Sequence, residues 1–100
     1  MNLLKSNEYL RRAKPLIPCL SQTFSKAPEY FVQGVYPTYL ERGEGSHVWD
    51  VDGNEYLDFI LGLGAVSLGY SHPKVNEAIL AQLRNGISFS LPHRLEVEVS

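Results

Sequence analysis

Trp49-Asp50-Val51-Asp52-Gly53-Asn54-Glu55-Tyr56-Leu57-Asp58 is the stretch on which the fold reading turns. Aromatic and β-branched residues sit on both sides of Asp52-Gly53-Asn54, and such residues favour a pleated, half-buried surface. Asp-Gly supplies the positive φ that a tight hairpin turn requires. Upstream, Tyr39, Leu40 and Arg42 lead to Gly43-Glu44-Gly45, read as a second turn, before His47-Val48-Trp49-Asp50. The prediction is a three-stranded antiparallel meander ending near Phe59.

Downstream, Phe59 to Tyr70 is apolar but interrupted by glycine. A helix is predicted from Pro73 to Asn85. Proline suits its first turn and Gly86 the position past its end. Val75, Ala78, Ile79 and Leu83 form its apolar stripe. Leu95, Val97 and Val99 then alternate with Glu96, Glu98 and Ser100, which by period alone reads as a strand.

Upstream of the meander, a short helix is predicted over residues 6–17. Ser6 is expected as its N-cap and Glu8 in its first turn, with Tyr9, Leu10, Ala13 and Leu16 on one face. Pro15 and Pro18 should loosen or end it. Residues 19–37 show no period and carry Phe24, Tyr30, Phe31 and Tyr36. They read as an arm whose aromatics need a covering surface.

The bulk composition sets limits. The chain has 100 residues, 44% hydrophobic and 20% charged, with net charge −2. It is long enough for one small domain and apolar enough for a core. Without a basic excess there is no footprint for nucleic acid. A single cysteine, Cys19, excludes an internal disulfide. The N-terminal residues lack the apolar run of a signal peptide, and the stretch from Phe59 to Leu68 is too short to span a bilayer. A soluble, cytoplasmic protein without a membrane partner is expected.

Several local patterns imitate functional motifs. Asp50, Asp52, Asn54 and Asp58 resemble a calcium loop, but Gly53 falls at the fourth position rather than the sixth, so a hairpin turn is the better reading. Gly62-Leu63-Gly64 with Gly69 lacks dinucleotide-loop spacing and context; glycine there permits close approach or positive φ. His47, His72 and His93 are too scattered for a metal set. His72 is placed at a helix cap. Cys19 has no adjacent base. Trp49 and Tyr56 read as packed sheet residues. Lys26 is either a solvated lysine or a point charge reaching a carboxylate or phosphate. None of these features alone names a reaction.

Taken together, four segments in order resemble the class III aminotransferase family, in its glutamate-1-semialdehyde aminomutase-like branch. Residues 49–58 resemble the family's x-D-x-D-G-x-x-Y-x-D meander. Leu68-Gly69-Tyr70-Ser71-His72-Pro73-Lys74-Val75 resembles its G-H-x-H-P-x-V segment, with Tyr70 replacing the usual His. Ala13 to Pro18 resembles the branch's A-x-x-x-x-P-G-G opening, with Cys19-Leu20 replacing its glycines. Gly86 to Pro92 resembles its G-x-S-F-G-x-P segment.

The resemblance implies an α+β N-terminal segment of a fold type I transferase. Its α/β large domain would hold pyridoxal 5'-phosphate as electron sink and amine carrier. It divides the chain into an N-terminal helix and arm (residues 1–37), the meander (38–60), and a glycine-rich segment with helices leading into the large domain (61–100). The Schiff-base lysine, the ring's acidic partner and the phosphate cup are expected downstream, so no catalytic or cofactor-binding residue is assigned here.

Substrate-pocket positions do carry over. The branch's carboxylate-binding arginine corresponds to Ser25 or Lys26, depending on a gap. The branch's tryptophan in the glycine segment corresponds to Leu63, beside Gly64. Both departures point to a substrate other than glutamate 1-semialdehyde, or one held differently. The resemblance also implies a homodimer, a small amino or keto substrate, and helix rather than strand after Pro92; helix is preferred there. The competing reading is a stand-alone, non-catalytic interaction module or truncated remnant.

Overall fold

The computed structural model describes residues 1–100, which divide into two compact units, 1–70 and 71–100. The first is built on a three-stranded antiparallel sheet in the order β1-β2-β3. Its strands are β1 (Leu40–Glu44), β2 (His47–Asp50) and β3 (Glu55–Leu57). The meander is therefore present. Its first turn is displaced from the expected one: Gly43 and Glu44 belong to β1, and the chain reverses at Gly45 and Ser46. Glycine at position 43 serves a packing role described below.

Register explains the faces. Gly43 pairs with Val48 and Val48 with Tyr56, while Arg42 pairs with Trp49 and Trp49 with Glu55. Side chains alternate across a strand, so these two sets occupy opposite faces. Val48 and Asp50 are buried. On the other face the Arg42 guanidinium lies 3.5 Å from the Trp49 ring centre, a cation–π contact. His47 Nδ1 is 2.7 Å from Glu55 Oε1 on that face as well. A register shift lies between Leu40 and Arg42.

A buried carboxylate needs donors, and Asp50, only 2% exposed, has them. Its Oδ1 accepts from the backbone N–H groups of Asp52 and Asn54, and its Oδ2 from the Asn54 side chain and the Tyr56 hydroxyl. This knits the β2–β3 turn. Asn54 also donates to the Asn2 carbonyl at 2.7 Å, and Met1 Sδ lies 2.9 Å from the Tyr56 hydroxyl.

The same turn fixes the N-terminal helix. Helix α1 spans Leu4–Ala13, so Ser6 is not its N-cap but a 1%-exposed residue of its first turn. The cap comes from far along the chain. Asp52 accepts from the N–H of Lys5 at 2.7 Å and from that of Ser6 at 2.9 Å. A carboxylate there satisfies orphan amides and complements the helix dipole. Lys14 keeps helical φ/ψ (−48°, −47°) and its N–H still reaches the Leu10 carbonyl, but Pro15 has no N–H to carry the ladder on, so the helix ends at Ala13. The expected continuation to Ile17 is thus cut by Pro15.

The arm is three short 3₁₀ turns, Pro18–Leu20, Phe24–Lys26 and Pro28–Tyr30. Ala27 is wholly buried, and Phe31 and Tyr36 stack on each other at 4.5 Å. Phe24 and Tyr30 stay exposed.

In the second unit, helix α2 spans Pro73–Leu83, two residues shorter than predicted, and Gly86 follows at φ 95°. His72 holds the N-cap position without a side-chain cap bond. The alternating tail is not a strand: α3 (Leu95–Glu98) is a single helical turn, closed by an Arg94–Glu98 ion pair. An i, i+4 pair favours helix where three alternating apolar residues have no neighbouring strand to join.

The charge network predicts a pH profile. Burial pushes Asp50 up, but bonds from Asn54, Tyr56 and Asp52 outweigh it and hold the carboxyl below its usual range. Asp52 is likewise lowered: desolvation opposes ionisation, but the Ser6 and Lys5 amides and the Lys5 charge prevail. Stability from these groups is complete above the unfolded carboxyl value of about 3.9 and disappears as pH falls through the lower folded values. Tyr56 is pushed up to about 12 by burial and by Asp50. Its contribution holds below about 10 and is lost as pH rises through the folded value. Urea midpoints should therefore fall off at both ends of a pH 2–12 series. An unchanged midpoint on acidification below the unfolded carboxyl value would contradict the carboxylate part.

Candidate functional site

Residues 59–69 form a loop hung from the β1–β2 turn. The Asp58 N–H donates to the Ser46 carbonyl at 2.9 Å. At the far end, Tyr70 pairs with Gly45 in both directions, at 2.8 and 2.9 Å. Two adjacent turn residues thus hold both ends, as in a compact Ω-loop.

Side chains close the same gap. The Tyr70 hydroxyl donates to Asp58 Oδ2 at 2.5 Å, while Asp58 Oδ1 accepts from the N–H groups of Ile60 and Leu61. Burial pushes the Asp58 carboxyl up, but Tyr70 and these amides outweigh it and hold it low. Asp58 in turn, with burial, pushes Tyr70 up to about 12. A charge-assisted bond of this kind contributes about 1.5–3 kcal/mol. The Tyr70 ring lies where a side chain at position 43 would be: a Cβ on Gly43 would stand 2.4 Å from Tyr70 Cγ.

The loop's backbone is unusual. Leu61 and Leu63 have φ of 52° and 58°, flanking Gly62 at 56°. Left-handed geometry costs a residue with a side chain roughly 1–2 kcal/mol, and such residues gather at functional sites. The predicted pocket residue Leu63 sits in this strained turn (Leu61–Gly64), 74% exposed, with Gly64 next to it.

Ser25 and Lys26 share the Phe24–Lys26 turn in the arm. The Ser25 hydroxyl is 3.4 Å from that of Thr23. Lys26 lines a cavity of about 40 Å³ with Pro28, Phe31, Gln33 and Tyr36. Leu63 and Gly64 do not line it. The structure therefore groups the four positions as two pairs on two elements. Sequence reasoning had noted Tyr70 only as a replacement and had not linked it to Asp58, or seen why residue 43 is glycine.

The class-III aminotransferase profile matches residues 30–99. The chain belongs to that family. Glutamate-1-semialdehyde 2,1-aminomutase of Sulfurihydrogenibium azorense is 38% identical over the whole chain, which covers 23% of that protein. A solved transaminase with PLP bound superimposes over 98% of the chain at TM-score 0.78 and 34% identity, covering 22% of its own length. A glutamate-1-semialdehyde aminomutase from Pseudomonas aeruginosa gives 0.74 and 26%, over 95% of this chain and 20% of its own. The α+β segment of a fold type I transferase is thus the architecture observed. This chain of the class-III family spans under a quarter of the length of the curated relatives it matches.

Gly43→Ala should cost about 1–3 kcal/mol, the usual penalty for overpacking, because the methyl group meets the body of the Tyr70 ring. Thermal unfolding measures it; stability equal to the parent's would remove Tyr70 from that position.

Proposed function

We propose that residues 1–100 are the N-terminal wall of a pyridoxal-phosphate-dependent aminotransferase or aminomutase, which moves an amino group between an amino compound and a keto or aldehyde acceptor. Family membership together with the strained, clamped loop at Leu63 carries this reading. The division into arm (1–37), meander (38–60) and segment leading to the large domain (61–100) belongs to it. So do the homodimer and the cytoplasmic location; no helix is long and apolar enough to cross a membrane.

The residues present do not by themselves fit the cofactor. Condensation with its aldehyde needs a lysine held in a pocket, yet Lys5, Lys14, Lys26 and Lys74 are all exposed. The cavity at Lys26, about 40 Å³, is far below the roughly 300 Å³ at which small-molecule sites begin. In this reading the segment binds and orients substrate and supplies no reacting atom. Lys26 takes a substrate carboxylate as a point charge, without the two-pronged fork of an arginine. Ser25 is the alternative at the same place. Leu63 and Gly64 present an aliphatic wall, which suits a substrate with an apolar flank.

Two measurements test this. The full-length protein should gain the visible absorbance of bound pyridoxal phosphate and transfer an amino group to a keto or aldehyde acceptor, whereas residues 1–100 alone should do neither. A full-length protein that takes up no cofactor would end the proposal and leave the interaction-module reading. Separately, Lys26→Ala should raise KM for acidic acceptors about tenfold, the loss of one charge-assisted hydrogen bond, while neutral acceptors change little. Equal effects on both would retire Lys26 and turn attention to Ser25.

A further inference from the structure

We propose that Asp58 and Tyr70 act as a pair of positioning residues, a clamp that holds the 59–69 loop in its left-handed conformation and so sets where Leu63 and Gly64 stand. The proposal rests on the reading of Leu63 and Gly64 as pocket wall.

The geometry points to the clamp from several sides. Asp58 uses both carboxylate oxygens, one on the loop's first amides (Ile60 and Leu61) and the other on the hydroxyl of the residue just past the loop's end. One side chain therefore ties the two ends together across twelve positions of chain. The backbone bonds at Gly45 and Ser46 fix where the ends lie, and inside the loop the Leu63 and Val66 N–H groups bond to the Ile60 and Leu61 carbonyls, which leaves the Ile60 and Leu61 amides to Asp58. Inside that turn, Leu61 and Leu63 both adopt positive φ, a conformation that leucine leaves unless its neighbours hold it. The Leu61 N–H is itself one of the amides bound by Asp58, so the clamp acts directly on a strained residue. Tyr70 is fixed in turn by its backbone bridge to Gly45 and by the absence of a side chain at Gly43, whose place the near edge of its ring takes. The hydroxyl thus approaches Asp58 from a rigid base. Asp58 and Tyr70 are not offered as catalytic; they act on substrate only through the loop.

The test uses the full-length protein with Tyr70→Phe, Asp58→Asn and the double variant. Hydrogen–deuterium exchange reads peptides covering residues 59–69, and steady-state kinetics use L-glutamate as donor and pyruvate as acceptor. Tyr70→Phe is expected to speed exchange in the loop about tenfold and to raise KM about tenfold, more than it lowers kcat. The double variant should be little worse than the more damaging single one, because the two side chains share one interaction. A merely structural role would lower the melting temperature and leave KM unmoved, and that result overturns the proposal. So does loop exchange in Tyr70→Phe equal to the parent's. If Asp58→Asn does not fold, Tyr70→Phe alone decides. If the parent protein shows no turnover and takes up no cofactor, the transaminase reading has failed on its own, and loop exchange in Tyr70→Phe still confirms or removes the clamp.

Discussion

The Asp50 carboxylate, buried and surrounded by donors, is the constraint on which the segment's order depends. An ionised group out of water is tolerated only if its lone pairs are filled. Filling them here fixes the Asp52 and Asn54 backbone and the Tyr56 hydroxyl. Once the turn is fixed, Asp52 points at the start of α1 and Asn54 reaches the Asn2 carbonyl. Strand pairing, turn shape and helix docking thus follow from one charge. Few hydrophobic residues are fully buried: Ala13, Ala27 and Val48 are, whereas Phe59 remains 90% exposed.

A second carboxylate repeats this logic at the other hairpin. Asp58 binds amides at the beginning of a loop and a hydroxyl at its end, as Asp50 binds amides within a turn and a hydroxyl on β3. In both places an aspartate replaces the hydrogen bonds that a regular strand or helix would have supplied. Two of the three positive-φ leucines, Leu61 and Leu63, lie beside the second of these; the third, Leu20, is in the arm, and none is in the meander.

How much of this was legible in the sequence follows from the range of each interaction. The meander was, because Asp52-Gly53 and the flanking aromatics act over a few residues. Helix α2 was, because Pro73, the 3.6-residue stripe and Gly86 are local signals; its end was overrun by two residues because Arg84 and Asn85 carry no stop of their own. The start of α1 was misplaced because its cap, Asp52, lies 46 residues from Ser6, and a sequence offers only the nearer serine. For the tail, period alone points to a strand and the resemblance to helix; helix is preferred and α3 is helical, because three alternating apolar residues are too few to outweigh the Arg94–Glu98 pair. Of the candidate site, Ser25, Lys26, Leu63 and Gly64 were picked out by resemblance alone. The Asp58–Tyr70 bond was out of reach: nothing in either residue's neighbourhood shows that the loop between them closes on itself.

The long-range cap has a consequence during synthesis. A ribosome adding about 5–20 residues per second needs roughly two to nine seconds to make the 46 residues between Ser6 and Asp52. For that interval the nascent α1 has no carboxylate for its first amides, and a ten-residue helix is too short to persist in water unaided. The meander, whose strand pairings are all between neighbours in sequence, can pair as soon as it leaves the exit tunnel. Order in this segment therefore spreads backwards, from the hairpin toward the amino terminus, against the direction in which the chain is made.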